Sequence, residues 1–223
     1  MEHNHKLIIR PYQPRPLFSK ARLQGRSFKH TIRTPGKTLL FIALLGGLGG
    51  ELAEAHTTPS VLNLNGTIWD RVAHRYRLDP YLLYAVALTE SARVTNGFAE
   101  PWPLAIQHQG RAFYPEDTES ARQELKKRLM TGDPSIDVGI MQVNLRWHGH
   151  RVTHPEALFD RDTNIDLGAR IIVEGIQSAP GNPVYGIGRY HAWQNRRVAE
   201  IYGRKVIRLA HRLKHGYTFP EGR

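Results

Sequence analysis

Glu90 is the residue whose type and position ask for chemistry. Asp79-Pro80 can cap and open a helix, and beyond it Leu82, Leu83, Val86 and Ala87 mark one apolar stripe. The next position on that stripe is Glu90, near the expected helix end. Desolvation and the negative end of the helix dipole both disfavour an ionised carboxylate there and raise its pKa. A carboxyl that keeps its proton near neutral pH can act as a general acid. A buried Glu paired with an arginine for structural reasons gives the same pattern, so the helix alone leaves both readings open.

Other residue types narrow the chemistry. The chain has no cysteine, which excludes a disulfide scaffold, a zinc–thiolate site, an iron–sulfur cluster and a thiol nucleophile. His148, His150 and His154 invite a metal, but HxH plus a third His is a weak signal without Cys or a well-placed carboxylate. Asp160, Asp162 and Asp166 lack the regular calcium-loop spacing that ends in Glu. No metal and no cofactor are expected. Trp102, Trp147 and Trp193 could stack on sugars, and buried packing explains each at least as well.

The elements that must position Glu90 read as mostly helical. Ile68, Val72 and Tyr76 recur at i, i+4 and i+8 within Thr67 to Arg77. The Glu90 helix is expected over Tyr81 to Ala92. Residues 102–114 alternate weakly around His108-Gln109-Gly110, a short hairpin signal. An amphipathic helix spans Thr118 to Met130, closed by Gly132 and followed by Pro134. Asp162 is expected to cap a helix from Thr163 to Gln177 with Ile165, Ala169, Ile172, Val173 and Ile176 inward. Gly181-Asn182-Pro183 is a turn. A short helix over Val184 to Ala192 then precedes a longer one from Asn195 to Lys214, its inner face Val198, Ile201, Tyr202, Leu209 and Leu213. There is no internal repeat.

Four segments then stand in order: Glu90-Ser91; Asp137-Val138-Gly139-Ile140-Met141-Gln142-Val143-Asn144; Asn164 to Arg170, with Gly168; and Gly188-Arg189-Tyr190-His191-Ala192. This order resembles the lytic transglycosylases of the SLT family, with their goose-lysozyme-like helical fold. Their pattern is Glu-Ser, then Gly-Leu-Met-Gln, then Asn-x-x-x-Gly on a helix, then Ala-Tyr-Asn. The resemblance covers about residues 66 to 210. It is closest to the small transglycosylases of conjugation and type IV secretion machinery, which often carry a Pro-Trp-Pro segment, here Pro101-Trp102-Pro103. Ile140 stands for the usual Leu, a volume-conserving change. His191 stands where the commoner form has Asn, and unlike Asn it can titrate.

The resemblance implies a mainly α, lysozyme-like domain with a small β-hairpin insertion. It also implies cleavage of the β-1,4 bond between N-acetylmuramic acid and N-acetylglucosamine in peptidoglycan. Ordinary glycosidases use two carboxylates; this family uses one. Glu90 would protonate the leaving oxygen, then act as base on the muramyl 6-hydroxyl that closes a 1,6-anhydro ring. Ser91 would hydrogen-bond near Glu90 or to substrate. Gly139 belongs to the turn motif, Met141 would wall the sugar, and Gln142 would bind a substrate amide. Asn144 would organise the loop, Asn164 the helix start, and Tyr190 would hold the Glu90 carboxyl. Alternatives are a hydrolytic muramidase of the same fold and a non-catalytic wall-binding assembly factor.

Charge first suggests a different partner. There are 31 Lys and Arg against 20 Asp and Glu, net +11, which fits a nucleic-acid binder. Yet residues 1–37 hold nine basic residues and one acid. They precede the uncharged run Thr38 to Gly50 and then Ala53-Glu54-Ala55. A basic stretch, a short apolar run and an A-x-A site make a signal peptide with an unusually long basic start. The apolar run is 13 residues, short of the ~20 a membrane-spanning helix needs. Cleavage after Ala55 and a periplasmic location are expected, with an inner-membrane anchor if the segment stays. The remaining 168 residues carry 22 basic and 17 acidic side chains, net +5. They divide into a linker over 56–65, one domain over 66–214 and a tail over 215–223. Peptidoglycan strands are the expected partner, with conjugation or secretion components beside them. A monomer is expected, and no nucleic acid.

Overall fold

The computed structural model describes residues 62–95 and 98–216. The signal-peptide segment, most of the linker and the end of the tail lie outside them. Among the described residues no helix is long and apolar enough to cross a membrane.

The described chain is mainly helical. Helix α1 (Ile68–Tyr76) starts on the Thr67 side chain and stops where Arg77 turns left-handed, at φ 54°. Helix α2 (Pro80–Ser91) opens as its sequence suggests: Asp79 accepts from the Tyr81 N–H at 2.8 Å, with Pro80 at the first position. Leu83, Ala85, Val86 and Ala87 are fully buried, because α2 runs through the core rather than over it.

At Ala92 the chain leaves the helix and forms a hairpin, β1 (Ala92–Thr95) with β2 (Phe98–Pro101). The hairpin expected around His108 is present as β3 (Ile106–His108) and β4 (Arg111–Phe113). Gln109 and Gly110 both have positive φ, as a tight two-residue turn requires. The insertion is larger than one hairpin. After α3 (Thr118–Leu129), β5 (Ile136–Val138) pairs with β3, and β6 (Val143–Asn144) with β5, giving the antiparallel order β4-β3-β5-β6.

A short helix, α4 (Leu145–His148), and two 3-10 turns lead to α5 (Arg161–Gln177). The cap of α5 is Asp160, not Asp162: the 3-10 turn Pro155–Phe159 delivers the chain there, and Asp160 accepts from the Thr163 N–H at 2.8 Å. Ile165, Ala169 and Ile172 point inward, with Leu167 and Ile171 beside them, while Val173 and Ile176 are only half-buried.

Helix α6 (Pro183–Gly188) ends four residues earlier than expected, and α7 (Arg196–His215) closes the domain. The inner face of α7 is rotated from the expected one. Val198 and Ile201 are exposed, while Ala199, Tyr202, Gly203, Val206 and Ala210 are buried. The cause is close backbone contact. A Cβ on Gly188 would lie 1.8 Å from the Ala199 carbonyl oxygen, and one on Gly203 would lie 2.0 Å from that of Val184. Small residues let α6 and α7 approach there, and the approach turns Tyr202 toward α2.

Candidate functional site

The site is built on one turn and one carboxyl. The turn, residues 139–142, joins β5 to β6. Gly139 sits at φ 80° with its N–H on the Ala105 carbonyl at 2.8 Å. A Cβ there would meet the Asn164 side-chain nitrogen at 2.1 Å, so only glycine fits. Asn164, fully buried on α5, clamps the turn from below. Its amide donates to Val138 O (2.9 Å) and Leu158 O (2.8 Å), and its oxygen accepts from the Met141 N–H at 2.8 Å. From α2, the Ser91 hydroxyl donates to Ile140 O at 2.7 Å and to Ala87 O at 3.1 Å. Beyond α6, the Tyr190 hydroxyl donates to Met141 O at 2.6 Å.

These bonds assign roles that differ from several expectations. Ser91 is buried and ties the helix end to the turn. Met141 is fully buried, its side chain packed where a Cβ on Gly168 would sit, so it fills the core beneath the turn. Gln142 commits its amide donors to the Ala105 and Gly139 carbonyls, both at 2.9 Å, which leaves its side-chain oxygen as an acceptor. Asn144 does organise the loop after the motif: it donates to Asp137 at 2.8 Å and caps α4 through the Arg146 N–H at 3.1 Å.

Glu90 lies at the end of α2 with its side chain 7% exposed. The hydroxyl donating to it is that of Tyr202, at 2.6 Å from Oε1. Tyr190, expected in that part, spends its hydroxyl on Met141 and feels Glu90 through charge. Burial first, then the Glu90 carboxylate, holds both phenols well above their ordinary range. For Tyr190 the Asp137 charge adds to this, and for Tyr202 the hydrogen bond itself does. Both therefore remain protonated donors. His191 stacks on the Tyr202 ring, centroids 4.7 Å apart and planes 4° from parallel, and its Nδ1 lies 3.8 Å from Glu90 Oε1. Sequence reasoning placed Tyr202 in the core and missed this contact. The signal was available in the chemistry of a core tyrosine, whose hydroxyl needs a partner once it is buried.

Chemically, this is a nearly dry carboxyl whose oxygen is held by a neutral hydroxyl and faced by an imidazole. Such a group can give and take back one proton in a fixed position. Cavity size alone does not locate it. A cavity of about 370 Å³ lies among Arg75, Arg151, Asp162, Asp166 and Arg170, where Arg75 already pairs with Asp166 and Arg151 with Glu174. A second, of about 250 Å³, is lined by Trp69, Tyr84, Glu100, Trp102, Ile140 and Arg161, and so touches the turn. Trp102 is anchored there by its indole N–H on Pro115 O at 2.8 Å, whereas Trp147 and Trp193 are exposed.

Among the described residues no three His, Cys, Asp or Glu side chains are grouped to hold a metal ion. His148 has its pKa lowered to about 4, by burial first and then by the Arg151 charge. No family model, no curated protein and no solved structure matches the chain.

Proposed function

We propose that the chain is a peptidoglycan lytic transglycosylase with a lysozyme-like domain, exported to the periplasm to open the wall locally for a conjugation or secretion apparatus. The observation that carries this reading is Glu90: a buried carboxyl ending a core helix, held by Tyr202 and faced by His191, beside a hydrogen-bonded turn. The motif order supplies the reaction class. In the first step the Glu90 proton passes to the glycosidic oxygen as the bond to the muramyl anomeric carbon breaks. The substrate's N-acetyl group stabilises the cation. In the second, the muramyl 6-hydroxyl attacks that carbon and returns its proton to Glu90. One carboxyl serves both steps, and neither metal nor cofactor takes part. The enzyme works as a monomer on glycan strands and needs no nucleic acid.

One observation favours a second reading. Asp137 is a buried carboxylate whose charge reaches Tyr190 together with that of Glu90. Two carboxylates are the usual equipment for adding water. Products separate the two, since internal attack leaves 1,6-anhydro ends and hydrolysis leaves reducing ends. The test is mass spectrometry of muropeptides released from purified sacculi by the full chain. We expect anhydro products from the wild type and a loss of ~10²–10⁴-fold in Glu90→Gln. Equal release by the variant, or none by the wild type, refutes the proposal. Reducing ends convert it to the muramidase.

A further inference from the structure

We infer that His191 is a positioning residue for Glu90: an imidazole, stacked on Tyr202, that gives Oε1 a second hydrogen bond whenever the carboxyl is ionised. The inference rests on Glu90 being the general acid.

Three observations meet at one atom. The Tyr202 hydroxyl is 2.6 Å from Oε1, and His191 Nδ1 is 3.8 Å from the same oxygen. That Nδ1 is buried and has no hydrogen-bond partner. A buried ring nitrogen without a partner is costly, and here a carboxyl oxygen at 3.8 Å stands about 0.6 Å beyond hydrogen-bond reach. The parallel stack on Tyr202 fixes the plane in which the imidazole can slide, so that Nδ1–H and the phenol hydroxyl aim at one oxygen. Only 15% of the His191 side chain is exposed, and water does not compete freely for that bond.

The proton balance gives the contact a purpose. Glu90 gives one proton and regains one, so His191 has no proton to deliver. What changes between the two steps is the charge on Glu90. A neutral Nδ1–H donor binds the carboxylate more strongly than the acid, and thereby lowers the barrier to the first transfer. The groups facing His191 are Glu90 from α2, Tyr202 from α7 and its neighbour Tyr190, with Asp137 of β5 acting on Tyr190. Both phenols stay neutral.

The test reads the ring directly. In the full chain, nitrogen NMR of the His191 imidazole shows which ring nitrogen carries the proton in the wild type and in Glu90→Ala. We expect the proton on Nδ1 in the wild type and a shift away from that tautomer in the variant; the same tautomer in both overturns the inference whatever the enzyme's products. Rates on sacculi give the second arm. His191→Phe keeps a stacking ring without the donor, and we expect kcat about tenfold lower with KM within twofold. His191→Asn restores a donor of similar reach and should recover most of the rate. A Phe variant with wild-type kcat, or an Asn variant no faster than Phe, overturns it. Absence of any wild-type product refutes the transglycosylase reading instead, and the ring tautomer still decides whether His191 and Glu90 are coupled.

Discussion

Two β-turn regions meet the end of α2, and they are built in opposite ways. The turn 139–142 is densely bonded. The Gly139, Ile140 and Met141 carbonyls and the Gly139, Met141 and Gln142 N–H groups all have partners, some within the turn and the rest from α2, α5, the approach to β3 and the segment after α6. The β1–β2 hairpin is held by its own ladder, by the Arg93–Glu116 ion pair and by the end of α2, and it carries Phe98 79% exposed and Val94 56% exposed, whereas Met141 is fully buried. The turn cannot shift without breaking bonds to several elements at once. The hairpin can move at little cost, because few buried contacts hold it. A firmly bonded turn beside Glu90 thus adjoins an edge held by fewer bonds.

Four measurements would break or sharpen that contrast. The largest effect is expected from Asn164→Ala, which strands the Met141 N–H and the Val138 and Leu158 carbonyls in the core; chemical denaturation should show a loss of about 3–5 kcal/mol. Next comes the pair of tyrosines. Tyr190→Phe orphans a buried carbonyl of the turn and should cost about 1–2 kcal/mol in stability. Tyr202→Phe should change stability less and slow muropeptide release more, by about tenfold. If the two variants exchange these phenotypes, the division between turn and acid is wrong.

The third is a pH effect on the turn side. His148 in α4 resists protonation down to about pH 4, while an unfolded chain takes up that proton near 6.5. Folding stability should therefore fall as the pH drops from about 6.5 toward 4 and level off below. The loss is on the order of 1 kcal/mol after screening at this half-exposed site. Replacing His148 with Gln should flatten that slope in a denaturation series. The smallest effect is expected in the hairpin: Phe98→Ser should move stability by less than about 0.5 kcal/mol, and a cooperative loss there would show the hairpin to be part of the core.

How much of this was legible depended on range. Glu90 could be picked out because an interrupted apolar stripe is local information, and so could the cap Asp79. The β3–β4 turn was visible in Gln109-Gly110. The β1–β2 hairpin is missing from the sequence expectation although Asn96-Gly97, between two β-prone pairs, is a two-residue turn signal. Tyr202 was harder. Periodicity says which face of a helix is inward, and not which side chain 112 positions away it will meet. The rotation of α7 had the same cause: Ala199 and Gly203 decide it through a backbone approach to α6, and an apolar-residue count overlooks small residues.

That approach also has a genetic consequence. A side chain larger than hydrogen at Gly188 or Gly203 must push α7 outward, and α7 carries the hydroxyl that holds Glu90. Substitutions at these two glycines would be recovered among loss-of-function alleles, and a stability measurement beside the activity assay would show the displaced helix as their common cause.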